Sequence, residues 1–241
     1  MIRLCFIVVA LGFLFGEVIA QTLVITYKEV EIYPPQALEL MPELEMIDIS
    51  YYRSLHIDGQ NSMSMTDSII VHGFMQEGRK IFLRNILYKN YAVNRTYLSM
   101  PHLPSGQATI KTFSDQFCDF SQWTFIDQTR EILGVSCKLA RHKNGSNAWY
   151  APSIPYPDGP SRFAWGFPGL ILSTDWPSFS IEAIRLEYRD EPIIIPDFVP
   201  VAPKDIPDQI ETMNISGLPE NDYIIINNEL PKGVALTFDK H

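Results

Sequence analysis

The chain has 241 residues, 46% of them hydrophobic, and a formal net charge of −9. That length supports one domain with a real core. An acidic chain with no basic run excludes nucleic acid as a partner, because phosphates demand clustered Lys and Arg.

Residues 1–20 read as a signal peptide. Arg3 supplies a positive start, Leu4 to Phe15 is apolar apart from Gly12, and Val18-Ile19-Ala20 precedes a cut ahead of Gln21. The apolar run falls short of the roughly 20 residues a spanning helix needs. The mature chain then begins at Gln21, and no later apolar stretch in it is long enough to cross a membrane. Export to the periplasm or the outer-membrane surface follows as the expected location. Cys118 and Cys137 remain after the cut, and an even pair in an exported chain predicts a Cys118–Cys137 disulfide. Such a bridge would contribute roughly 3 kcal/mol.

From residue 21 the pattern is short β segments divided by turns. Leu23, Ile25 and Tyr27 alternate with polar or outward neighbours, and the apolar parity then slips to Val30 and Ile32, as a bulge would make it. Residues 36–49 read as a helical turn or a loop, because Pro42 interrupts them. Tyr51 to Ile57 is a strand running into the hairpin signal Asp58-Gly59. Ser68 to Met75 and Lys80 to Tyr97 continue the strand-rich stretch. Further strands follow at 123–129 and 135–139. Asn144-Gly145 marks the turn before a strand opening at Ala148. Ile184, Leu186 and Tyr188 alternate with Arg185, Glu187 and Arg189, giving one dry and one wet face.

No segment holds a helical period. The prediction is a mainly β protein: an antiparallel meander forming a strongly curved sheet or open barrel, with a proline-rich extended C-terminal segment. Residues 21–190 form the β-rich domain. Residues 191–241 hold seven of the eighteen prolines and nine acids against three bases, and form an acidic extension that packs on the domain. Its Ile193-Ile194-Ile195 and Tyr223-Ile224-Ile225-Ile226 clusters are costly to leave in water.

Residues 148–172 combine a Trp-Tyr pair, five prolines with glycines between them, and a terminal apolar run. In order, Trp123, Thr129, Gly134, Cys137, Lys138 and Ala140 lead to Ala148-Trp149-Tyr150, Ile154-Pro155, Gly159-Pro160 and Gly166-Phe167-Pro168-Gly169-Leu170-Ile171. This succession resembles the GLPGLI family of exported Bacteroidota proteins, with Phe167 in place of the usual leucine and Val135 where tyrosine is common. The resemblance implies an exported, envelope-facing β-protein and carries over no catalytic residue. Physically, Gly166 and Gly169 free to take positive φ around Pro168 make a rigid corner that delivers Leu170-Ile171-Leu172 into the sheet.

No catalytic set stands out. There is no G-x-S-x-G elbow and no histidine in a nucleophile context. Asp115, Asp119, Asp127 and Glu131 are near in sequence and could act as acid and base in a periplasmic hydrolase; solvated strand faces are the plainer reading. Trp149, Tyr150, Tyr156, Trp165, Trp176 and Phe179 can stack sugars, or simply pack. Met63 and Met65 share a strand face with His56, His72 and Met75 nearby, a soft donor set for copper(I), although methionines in β-domains are usually core filler. No cofactor is expected. The sequence therefore favours a non-catalytic module that binds an apolar or peptide ligand, or docks an outer-membrane protein.

Overall fold

The computed structural model describes residues 21–46, 48–72, 79–82, 85–102, 107–114, 120–161, 166–199, 209–214, 223–226 and 234–237. Residues 1–20, expected to be a signal peptide, lie outside this set, as do Met75, Asp115, Cys118, Asp119 and Trp165.

The first half supplies β1 (Thr22–Glu31), a short helix (Pro35–Leu40), a 3-10 turn (Pro42–Met46), β2 (Asp48–Ile57), β3 (Asn61–His72) and β4 (Arg79–Phe82). β5 (Ile86–Asn90), β6 (Arg95–His102) and β7 (Gln107–Ser114) follow. The second half supplies β8 (Trp123–Ile132), β9 (Val135–His142), β10 (Asn147–Ala151), β11 (Leu170–Trp176) and β12 (Phe179–Arg189). Past it come β13 (Gln209–Asn214), β14 (Tyr223–Ile226) and β15 (Val234–Thr237). The protein is mainly β and antiparallel.

Two meanders make one sheet. β1, β2, β3, β5, β6 and β7 run outward on one side, β12 back to β8 on the other, and β1 pairs with β12 at the junction. β13 adds to β7, β15 pairs with the second half of β3, and β14 pairs with β4 in a separate ribbon.

The expected strongly curved sheet or open barrel does not form. The sheet is neither closed nor strongly curled, and its path runs from β13 to β8 without these ends pairing. β13 extends the β7 edge, from Gln209↔Thr112 to Asn214↔Gln107, so closure would require β8 to bond β13.

Tight turns fix the register. Gly59 (φ 91°) turns β2 into β3 and Gly145 (φ 92°) turns β9 into β10. Leu133 and Gly134 both take positive φ between β8 and β9, the geometry a two-residue hairpin needs. The parity slip expected in β1 is a real register shift at Thr26/Tyr27, but the extra residue is Ile184 of β12. β1 keeps its alternation, so Leu23, Ile25, Tyr27 and Glu29 all face inward.

That inner face is the core. Leu23, Ile25, Leu55, Ile57, Leu139, Trp149, Leu170, Leu172 and Ile181 are buried in one cluster that spans the β1–β12 junction. Each fully buried large apolar side chain contributes about 1.5–3 kcal/mol. On the opposite face, Ala140, Ala148, Tyr150, Phe167 and Ile171 form a smaller core against Trp123. Among the described residues no helix is long and apolar enough to cross a membrane.

Candidate functional site: a cleft beside a buried lysine–aspartate pair

The connection between β10 and β11 does not stay at the sheet's end but crosses the inner face. Prolines 152, 155 and 157 lack backbone donors, so the segment cannot form a ladder of its own. It is held by separate bonds instead. Asp158 N donates to Tyr156 O (2.8 Å), Gly166 N to Pro157 O (2.8 Å), Leu170 N to Ile154 O (3.1 Å) and Ile171 N to Asp158 O (2.8 Å). Tyr27 of β1 adds its hydroxyl to Ile171 O at 2.7 Å.

The segment carries Asp158 into the interior, where its exposure is 0%. Lys89 of β5, 1% exposed, donates to Asp158 Oδ1, and the Gly159 N–H donates to the same oxygen at 2.7 Å. Ser62 of β3 and Tyr91, just beyond β5, donate to Oδ2, Tyr91 at 2.5 Å. Lys89 also reaches Ser161 O at 3.3 Å. Ser62 and Lys89 are direct partners across β3 and β5, which puts both side chains on the inner face. Every polar atom named here has a partner, as a buried charge requires. Burial, followed by the Asp158 charge, pushes the Tyr91 phenol far above its usual range. The same two causes, in that order, raise Tyr27.

Beside this anchor the inner face opens as a cleft of about 280 Å³. Leu87, Leu98, Phe179 and Ile181 give it apolar walls, and Pro160 and Ser161 of the crossing segment form its lip. Glu29 and Arg53 enter it as an ion pair, Oε2 to Nε 2.6 Å, with side chains 13% and 28% exposed. Besides this pair, Ser64 and Asn85 line the cleft, so it sets several polar groups beside its apolar walls, at a volume just below the usual size of ligand pockets.

No protein-family model matches the chain, and no curated protein matches it either. Among solved structures, PNGF-II in a C2 crystal form is similar with a TM-score of 0.43 and 16% sequence identity. The match covers 70% of this chain and 28% of that one, so this chain spans under a third of PNGF-II.

The residues singled out in the sequence scatter. Asp127 and Glu131 are both exposed on β8, outside the cleft. Met63 stands directly across from His56 between β3 and β2, and Met65 is two residues on, all half-buried. The side chains of His72 and Met75 lie outside the described residues. Among the described residues no three His, Cys, Asp or Glu gather as metal ligands. Cys137 is a buried free thiol donating to Val135 O at 3.5 Å, and its expected partner Cys118 lies outside the described residues.

The motif residues divide between the two faces. Trp149 faces inward with the Arg130 guanidinium 4.8 Å over its ring. Tyr150 and Phe167 face outward, where Phe167 meets Trp123 edge-on at 5.1 Å and Phe120 at 5.7 Å. Gly159 and Pro160 reach the anchor and the cleft lip respectively. Sequence reasoning missed Ser62, Lys89, Tyr91 and Asp158. The available signal was a lysine inside the apolar strand Ile86-Leu87-Tyr88-Lys89 and an aspartate set among the prolines of 152–160.

Proposed function

We propose that this chain is an exported, envelope-facing protein of GLPGLI type, and that its inner sheet face binds a short peptide segment. The signal-like residues 1–20 and the ordered motif from Trp123 to Leu172 support the first part. The cleft carries the second. Glu29 can accept a peptide N–H while Arg53 donates to a peptide carbonyl or a terminal carboxylate. Leu87, Leu98, Phe179 and Ile181 would take one apolar side chain. Among the described residues Glu29 is the one acid on the wall. We read the cleft as a binding site.

Calorimetric titration of the mature protein with a series of apolar tetrapeptides tests this. Saturable binding that weakens by about tenfold or more in Leu87→Arg supports it. Absence of heat from every peptide, or binding indifferent to Leu87→Arg, refutes it.

A further inference from the structure

The Lys89–Asp158 pair has a composition the cleft reading does not use. A primary amine touches a carboxyl carbon's oxygen in a site with 1% and 0% side-chain exposure. Once one proton passes from the Lys89 ammonium to the Asp158 carboxylate across this contact, the amine and the carboxylic acid are the two reactants of amide formation, and fixed proximity replaces the encounter that makes this slow in solution. The remaining contacts divide by oxygen. Oδ1 receives the rigid Gly159 N–H at 2.7 Å, a donor placed where negative charge would develop. Oδ2 receives two hydroxyls, from Ser62 and Tyr91, which can carry protons to a departing oxygen.

We infer that Lys89 and Asp158 are the reactants of an autocatalytic cross-link, an isopeptide bond between Lys89 Nζ and Asp158 Cγ. The Nζ lone pair attacks Cγ of the protonated carboxyl group, and Oδ1 takes the charge against Gly159 N–H. Collapse of that intermediate re-forms the Cγ–Oδ1 double bond and breaks Cγ–Oδ2. Oδ2 leaves with its own proton and one from Nζ, relayed through the Tyr91 and Ser62 hydroxyls, as one molecule of water. No oxidant, reductant or other reactant is consumed. The product suits the same surroundings: the amide keeps one N–H for Ser161 O, and its carbonyl keeps the Gly159 bond. Tyr91 and Ser62, whose hydroxyls both meet the same Asp158 oxygen, can then pair together. The bond would tie β5 to the β10–β11 crossing segment, 69 residues apart in the chain. This inference is independent of the peptide-binding reading.

Mass spectrometry of the purified mature protein, unfolded and reduced, tests it. The expected result is a chain lighter than its sequence by one water, with a branched proteolytic fragment joining the Lys89 and Asp158 segments. Lys89→Arg should restore the full sequence mass, and Tyr91→Phe should slow formation by about 100-fold. A wild-type chain of full sequence mass, whose Lys89 reacts with an amine reagent in denaturant, overturns the proposal. That wild-type measurement does not depend on any variant folding.

Discussion

Gly169 passes so close to Ala151 that a Cβ on it would lie 2.3 Å from the Ala151 carbonyl oxygen, and 2.9 Å from the Cα of Pro152. Both neighbours are backbone, so neither can swing aside. Gly169 also holds φ +150°, which L side chains rarely adopt. The last glycine of the motif is thus the point where the returning segment crosses the strand it left.

Gly169→Ala is therefore expected to destabilise the fold by at least about 2 kcal/mol, from overpacking added to backbone strain. Gly145→Ala is the control: φ is +92° but nothing lies within 4 Å of the added Cβ. It should cost only about 1–2 kcal/mol. Paired urea melts check the order, and equal losses would count against the close-crossing account.

Alkaline pH should unfold this protein. Tyr27, Tyr33, Tyr51, Tyr88, Tyr91, Tyr97 and Tyr150 all have phenols raised above the ordinary value of 10.0, burial being the largest cause for each. Tyr33 is pushed up to about 12, aided by its hydrogen bond to Glu31. The unfolded chain loses these protons near pH 10 while the native chain keeps them. The native state then binds more protons, so stability must fall as pH rises through that region. Melting temperature followed from pH 8 to 11.5, with phenolate absorbance, should show ionisation coinciding with unfolding. Phenolate beyond what the other four of the eleven tyrosines can supply, appearing well before unfolding, would contradict it.

Cys137 should be inert in the native state. Burial pushes its thiol up to about 11, opposed by Arg130 and aided by Glu182. At pH 8 the thiolate needed for alkylation is scarce and enclosed. Iodoacetamide should leave Cys137 unmodified in the folded protein. It should label Cys137 after denaturation without reductant, since the thiol is free. Labelling that appears only after reduction would show Cys137 bonded to another sulfur.

The strands were legible because their signals are local. Asp58-Gly59 and Asn144-Gly145 mark turns whose glycines do take positive φ. The strand expected around Ile184 and Leu186 is β12, but its expected dry face does not form: Ile184 is the bulged residue and is exposed, as is Tyr188. Pro42 separates the short helix from the 3-10 turn, as proline chemistry requires. What could not be read was long-range. Nothing near Leu23 or Tyr188 announces that β1 pairs with β12 across most of the chain. The same limit hid the sheet's edge, since β13 pairing with β7 is a contact between residues 107 and 214. The site was hidden for that reason too: Glu29, Arg53, Leu87 and Phe179 converge from four strands. The motif was recognised as a corner. That its preceding prolines deliver Asp158 to Lys89 depends on a strand far upstream.

The central claim is that the inner-face cleft holds a peptide segment, and native mass spectrometry of the protein purified from its own cell envelope tests this most directly. The account predicts a bound peptide on the wild-type protein, lost in a folded Leu87→Arg variant. Wild-type protein carrying no peptide, or a peptide retained equally by Leu87→Arg, would contradict it.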